Sequence, residues 1–285
     1  MFWELLRVGL LLAIALLYAF FDLFNKREVP DLVVYSALAV ALGLTFTYPL
    51  PVAELSMLLA IAIAAIGYVI YKAGYWGAGD FLEITTISLI MPIQPTPILT
   101  PINQLGLPFV LSFFISTGVA AIWIVPIYYL LKWRKKPLRK TQTQQIYKML
   151  GIILLSLYLL LLLFIYFVFG INLTRVVIIA LIGVPSAITL AYEEEITSTM
   201  TSSILPKELE EGDIIAINIM DKKDIRYFRS KYSKFGRLVT KEAIEKMKQV
   251  NKKLPVYRHA APFAVFVLIG VIISLLFGNI ILFLL

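Results

Sequence analysis

The chain has 285 residues, of which 60% are hydrophobic, with a mean hydropathy of +0.87 and a formal net charge of +8. That balance excludes an ordinary soluble domain. The absence of cysteine excludes disulfides, thiol catalysis and Cys-ligated zinc. A single histidine, His259, argues against a histidine-built metal site or a Ser-His triad, so no metal and no cofactor is expected.

Several runs approach or exceed the roughly 20 apolar residues that cross a bilayer. They are continuous rather than alternating, so they read as helices and not as barrel strands. In such a chain the positive charge reads as Lys- and Arg-rich cytoplasmic loops, not as a nucleic-acid surface.

In chain order, the first span is expected from Phe2 to Phe21. It carries Glu4 and a lone Arg7, a pair one turn apart, and has neither a basic leader nor a small-residue cleavage site. It therefore reads as a retained helix and not a signal peptide. Asp22 ends it, and a polar loop with Asn25, Lys26, Arg27 and Glu28 follows. Pro30-Asp31 opens a second span that continues to Tyr48, and Pro49 and Pro51 mark a tight turn. The third span covers Val52 to Tyr71. Gly77-Ala78-Gly79-Asp80 then opens a fourth, which Pro92 cuts short. A proline-rich loop leads to a fifth span over Leu107–Leu131. A basic run from Lys132 to Lys148 precedes a sixth over Met149–Phe169. A seventh, Val176–Tyr192, contains Gly183 and Pro185 and reads as a full, broken or re-entrant helix.

Glu193 to His259 holds 14 Lys or Arg and 11 Asp or Glu, too many charges for the membrane. A strand is expected over Ile214–Ile219, and a helix capped by Thr240 over Lys241–Lys252. The last span, Ala260–Leu285, has no charge. The expected architecture is a polytopic α-helical membrane protein of about eight (6–8) transmembrane helices, with a small cytosolic α+β domain before the last. Its divisions are a transmembrane catalytic domain at 1–192, a cytosolic domain at 193–259 and a C-terminal helix at 260–285.

With the N-terminus outside, Lys26, Arg27, Lys72, the basic run and the charged domain all fall inside, as the positive-inside rule requires. The second and third spans then form a hairpin that leaves the inner face and returns to it. Asp22 and Asp80 consequently lie at the same depth on the same side. Two carboxyls a few ångströms apart cannot both ionise, so one keeps a proton while the other acts as a base. That is aspartic protease chemistry. The bland alternative makes Asp22 an interfacial charge and Asp80 a helix cap. Gly77 and Gly79 are expected to let Asp80 sit close against a neighbouring helix.

The segment Gly77-Ala78-Gly79-Asp80 resembles the Gly-x-Gly-Asp motif of type IV prepilin peptidases and archaeal preflagellin peptidases. Asp22-Leu23-Phe24-Asn25-Lys26-Arg27-Glu28-Val29-Pro30-Asp31 resembles that family's first aspartate box. The resemblance implies that Asp22 and Asp80 are the catalytic pair. It implies cleavage of a short basic leader (a class III signal peptide) from preflagellin- or prepilin-like substrates at the cytosolic face of the cell membrane. Bacterial members carry a cysteine-rich zinc loop and also methylate their product; this chain lacks the loop, so no methyltransferase activity is expected. Leu82 stands where many members have Lys. Presenilin-like enzymes share Gly-x-Gly-Asp, but their first Asp lies in the directly preceding helix, whereas here two helices intervene. A basic leader calls for acidic contacts, for which Glu28, Asp31 and Glu83 are candidates. The alternatives are cleavage within transmembrane substrates and proton-coupled transport through the same Asp pair. Transport would need deep polar residues and an internal repeat, neither of which is expected here.

Overall fold

The computed structural model describes residues 2–25, 28–99, 107–133, 142–170, 173–220, 222–231, 236–248, 250, 252–258 and 261–280. Lys26, Arg27, the basic residues Arg134 to Lys140 and His259 lie outside them. The apolar runs are helical: α1 (Phe2–Phe24), α2 (Asp31–Thr45), α3 (Leu50–Lys72), α4 (Ala78–Ile90), α5 (Phe109–Trp133), α6 (Gln142–Phe169) and α7 (Leu173–Ala191). The charged segment adds α8 (Glu193–Met200), β1 (Thr201–Ile204), α9 (Lys222–Lys231), α10 (Lys241–Met247) and β2 (Leu254–Tyr257), and α11 (Phe263–Phe277) closes the described chain.

Among the described residues, four helices are long and apolar enough to cross a membrane: α1, α3, and most of α5 and α6. Three shorter apolar helices, α2, residues 179–191 of α7, and α11, accompany them. The protein is thus a helical membrane protein, with four long spans and shorter apolar helices where about eight spans were expected. Pro185 does not break α7, which is continuous across it.

α4 organises the bundle. It is only 13 residues long, about 20 Å at 1.5 Å per residue. Glu83 to Ile90 are buried without interruption. It packs against α1, α2, α3, α5 and α11. Gly67 of α3 makes that packing possible, because a Cβ there would collide with the Phe81 side chain. Pro92 follows the C-cap, Met91, and prevents continuation.

The last carbonyls of a helix have no partner within it. Here hydroxyls from neighbouring elements supply partners. Tyr48 donates to the Ile90 carbonyl at 2.7 Å, Ser56 to the Leu89 carbonyl at 3.1 Å, and Thr45 to the same oxygen at 3.4 Å. α11 packs between α1 and α5, where Gly270 leaves room for Thr117. α6 and α7 form a separate pair joined to the rest through α5.

Arg7 does not follow its expected pairing with Glu4. It is buried, donates to Thr47 Oγ1 at 2.6 Å and stacks 3.4 Å from the centre of the Tyr48 ring. The α2–α3 turn offers it a hydroxyl and an aromatic face in one place.

β1 and β2 pair antiparallel, with Thr201 opposite Tyr257 and Ile204 opposite Leu254. The strand expected over Ile214–Ile219 is bridged only at Ile214 and Ile215, and a 3-10 turn over Ile217–Ile219 follows. Thr240 caps α10, its Oγ1 accepting from the Ala243 N–H, as expected, but the helix ends at Met247. Ile204, Ile215, Phe228, Val239, Met247, Leu254 and Val256 form an apolar cluster of their own. This segment touches the turn after α3. Gly74 (φ +73°) lies against Arg237, whose guanidinium sits 4.2 Å from the centre of the Tyr75 ring.

Candidate active site

The buried face of α1 runs Arg7, Leu11, Ile14, Ala15, Tyr18, Ala19, Asp22, a helical three-and-four spacing that carries the last member into the bundle. Asp22 therefore lies inside the last turn of α1 instead of just beyond it. It is 8% exposed, and its Oδ2 accepts the Ala264 N–H at 2.9 Å. Ala264 is the second residue of α11, so this carboxyl sits where the helix presents unpaired N–H groups and the positive end of its dipole.

Asp80 is in the first turn of α4, three residues after the N-cap, Gly77. Its Oδ2 accepts the Gly77 N–H at 2.8 Å. The helix start is thus closed by the third-position carboxyl of Asp80 accepting from the N-cap residue, with Asp80 not itself the N-cap considered from sequence. Neither motif glycine meets a neighbouring helix backbone. A Cβ on Gly77 would stand 3.2 Å from Asp80 Oδ2, tighter than an ordinary contact. A Cβ on Gly79 would only touch Val29 at 4.0 Å. Gly77 therefore makes room for the Asp80 carboxyl itself.

α1 and α4 bring the two aspartates within electrostatic range of each other. Trp76, just before the motif, packs its ring against Phe114 of α5 and Phe263 of α11, with centroids 6.2 and 5.9 Å apart. The aromatic cluster ties together the motif turn and the end of α11 that holds Asp22.

Of the three acidic leader-contact candidates, Glu28 and Asp31 are exposed in the α1–α2 connection and at the start of α2. Glu83 is elsewhere: one turn into α4, with 0% exposure, within electrostatic range of both Asp80 and Asp22. Both its oxygens are without a hydrogen-bond partner among the described residues. Its i+3 spacing from Asp80 was visible in the sequence, but its complete enclosure depends on five surrounding helices.

Deep polar residues do occur, contrary to expectation. Ser56, Thr86, Ser88, Ser112, Ser116 and Ser274 are all fully buried. Several of these hydroxyls bond to helix backbone or to each other; Ser88 donates to the Thr85 carbonyl and Ser274 to Ser116. The Ser274–Ser116 bond joins α11 to α5, whereas the Ser88 bond stays within α4, and neither requires a transport path. Glu195 is buried, and burial pushes the Glu193 carboxyl up from its ordinary value.

Among the described residues no group of three or more His, Cys, Asp or Glu has the arrangement to hold a metal ion. What the site does contain is two carboxyls, each fixed by a backbone N–H, on helices that are separated in sequence by a hairpin. Residues 10–125 match the model of the type IV leader peptidase family. The match covers less than half of the chain but includes both aspartates and Glu83. No curated protein and no solved structure shows a significant match. Over residues 10–125 the chain is thus similar to the aspartic-type leader peptidases of that family.

Proposed function

We propose that Asp22 and Asp80 are the catalytic pair of a peptidase that removes the short basic leader from preflagellin- or prepilin-like precursors. What supports this reading is that α1 and α4 pack together and each carries one of the two aspartates inside the matched segment. In the reaction, the ionised aspartate takes a proton from water, and the water oxygen attacks the scissile carbonyl carbon. The protonated aspartate gives its proton to the developing oxyanion. Collapse of the tetrahedral intermediate breaks the C–N bond; the amine leaves with the proton taken from water, the intermediate's hydroxyl returns its proton to the other aspartate as the carbonyl re-forms, and the pair is again singly protonated.

The positive-inside distribution supports an N-out orientation with the pair at the cytosolic face of the cell membrane. There, leader and apolar helix of a precursor meet. Glu28 and Asp31 are the acidic groups placed to attract a basic leader. The segment from Thr240 to Lys248, followed by Ala261-Pro262-Phe263 and an apolar helix, resembles the end of preflagellin peptidases, which keeps preflagellin beside prepilin-like precursors as a substrate.

The test is cleavage in detergent of a substrate with a basic leader and an apolar helix, with wild type, Asp22→Asn and Asp80→Asn compared by product mass. Cleavage at the leader boundary by wild type alone is the expected result. Near-full turnover by either variant removes that residue from the pair. Failure of folded wild type across several leaders would redirect attention to proton flux through the same residues.

A further inference from the structure

α9 carries charge that the reaction as written does not use. Its sequence holds Lys222, Lys223, Arg226, Arg229 and Lys231 against a single acid, Asp224. An ion pair with Lys252 neutralises that acid. Asp224 also shares a side of the helix with Phe228, four residues on, which is buried in the apolar cluster of the charged segment. The residues exposed on α9 include Lys223, Arg226, Tyr227 and Ser230. Their offsets of three, four and seven put them on one face. That face presents two cations, a phenol and a hydroxyl, and the acid lies off it. Basic residues that merely keep a loop on the cytosolic side need no such sorting. A surface of opposite sign would meet it.

The chain pins α9 near the ends of the membrane helices on both sides. Upstream, the 3-10 turn Ile217–Ile219 touches α8, which follows α7 directly and packs on α5 and α6. Three residues separate that turn from Lys222, about 10 Å of chain at most. Downstream, Arg237 lies against Gly74 and over the Tyr75 ring, in the turn that follows α3. It comes six residues after Lys231, about 20 Å of chain at most. The apolar span of α3 ends at Lys72, which is exposed and marks the level of the headgroups.

We propose that the Lys223, Arg226, Tyr227 and Ser230 face of α9 docks on anionic phospholipid headgroups of the membrane that holds the protein. The two cations pair with lipid phosphates, and Tyr227, 42% exposed, lies among the headgroups, where aromatic residues of interfacial helices sit. Phe228 is committed to the apolar cluster, so the helix adsorbs by charge and does not insert. Such adsorption needs anionic lipid and is weakened by salt. The basic leader of a precursor has the same sign as this face and is not its partner. The inference goes beyond the peptidase reading and does not depend on the aspartate pair.

The test uses the full chain in vesicles. The sequence has no cysteine, so Ser230→Cys carries a single fluorophore on this face. The labelled protein is reconstituted in phosphatidylcholine alone or mixed with phosphatidylglycerol, each with a trace of lipid spin-labelled on its headgroup. The expected result is several-fold stronger quenching in the phosphatidylglycerol vesicles. It falls toward the neutral-vesicle level in about 1 M salt, where the screening length is about 3 Å. Adding Lys223→Gln and Arg226→Gln together should abolish the difference between the two lipids and leave the unfolding midpoint unchanged, since both side chains are exposed. Equal quenching in the two vesicle types, or none in either, overturns the proposal and leaves the face to a soluble partner. A difference that survives in the folded charge variant also overturns it. If that variant does not fold, the lipid and salt comparisons on the parent protein decide alone. Leader cleavage is not the readout, so failure here is distinct from failure of the catalytic reading.

Discussion

At the scale of the residue, each aspartate holds a backbone N–H and, on the proposed reading, also a catalytic proton, and substitutions can separate the two. Asp22 and Asp80 accept backbone N–H groups from Ala264 and Gly77 while standing near each other. Asparagine keeps an acceptor oxygen for the N–H but cannot hold or release the catalytic proton. Asp80→Asn should therefore lose cleavage and keep its melting temperature. Asp80→Ala should lose cleavage and also about 1 kcal/mol of stability with the cap, measured as a lower midpoint in thermal unfolding. The leader contacts belong to this scale as well. Reversing Glu28 or Asp31 to Lys should raise KM several-fold for a basic leader and leave kcat unchanged. An equal effect on a leader with neutral residues would sink the electrostatic account. The packing of α1 against α4 was legible in the sequence, because a hairpin of two spans returns the chain to the same face. The anchor at Ala264 was not, since nothing local links Asp22 to a helix that begins some 240 residues later. Nor was the enclosure of Glu83, whose polar identity alone suggests an exposed position.

At the scale of the element, α4 depends on its neighbours for what its own length cannot provide. Isolated helices of about 13 residues are marginal, and the ends of this one are satisfied from outside, by the Asp80–Gly77 turn at one end and the hydroxyls of Tyr48, Ser56 and Thr45 at the other. Its sideways position is fixed by Gly67 against Phe81, the residue that follows Asp80. Gly67→Val should force α3 and α4 apart and cost about 1–3 kcal/mol. Because Phe81 would move with Asp80 beside it, kcat should fall as well. Unfolding midpoint and turnover measured on the same preparation check both. The limits of α4 were close to legible, with Gly77 before it and Pro92 after it. β1 and β2 were not, because each has only four residues and their pairing joins chain ends more than 40 residues apart. The run Ile214–Ile219 looks like a strand because it is apolar, but only its first part finds partners on both sides. The Ile215 N–H bonds to Arg237 and the Ala216 N–H to Pro255, and the chain then turns.

At the scale of the whole molecule, the helices fall into two groups around α5. α1, α2, α3, α4 and α11 enclose the carboxyls, while α6 and α7 pair with each other. The family match ends within α5, so the matched segment is the site-bearing group without its closing helix. α11 arrives from the end of the chain to put its N-terminus on Asp22, and the charged segment that precedes it rests Arg237 on Tyr75, in the turn that leads to the motif. Charge patterning predicts that this segment lies outside the membrane, but not where it touches the rest of the protein. That contact depends on a glycine with positive φ at Gly74 and on one cation above one ring.

α2, α4 and α11, all of which surround or form the site, have 15, 13 and 15 residues, whereas α1 and α3 each have 23. In length this is about 20–23 Å against about 35 Å, in a hydrocarbon layer of about 30 Å. Lipid beside the exposed face of so short a helix is expected to thin, as hydrophobic mismatch requires. On the proposed reading, this thinning would bring the aqueous boundary toward the carboxyls, so that a precursor need not lift its apolar helix out of the membrane. Proteoliposomes of increasing acyl-chain length should show falling turnover as this thinning becomes harder to sustain, with binding of the soluble leader peptide unaffected. A rate indifferent to chain length would mean that the short helices leave the membrane undeformed.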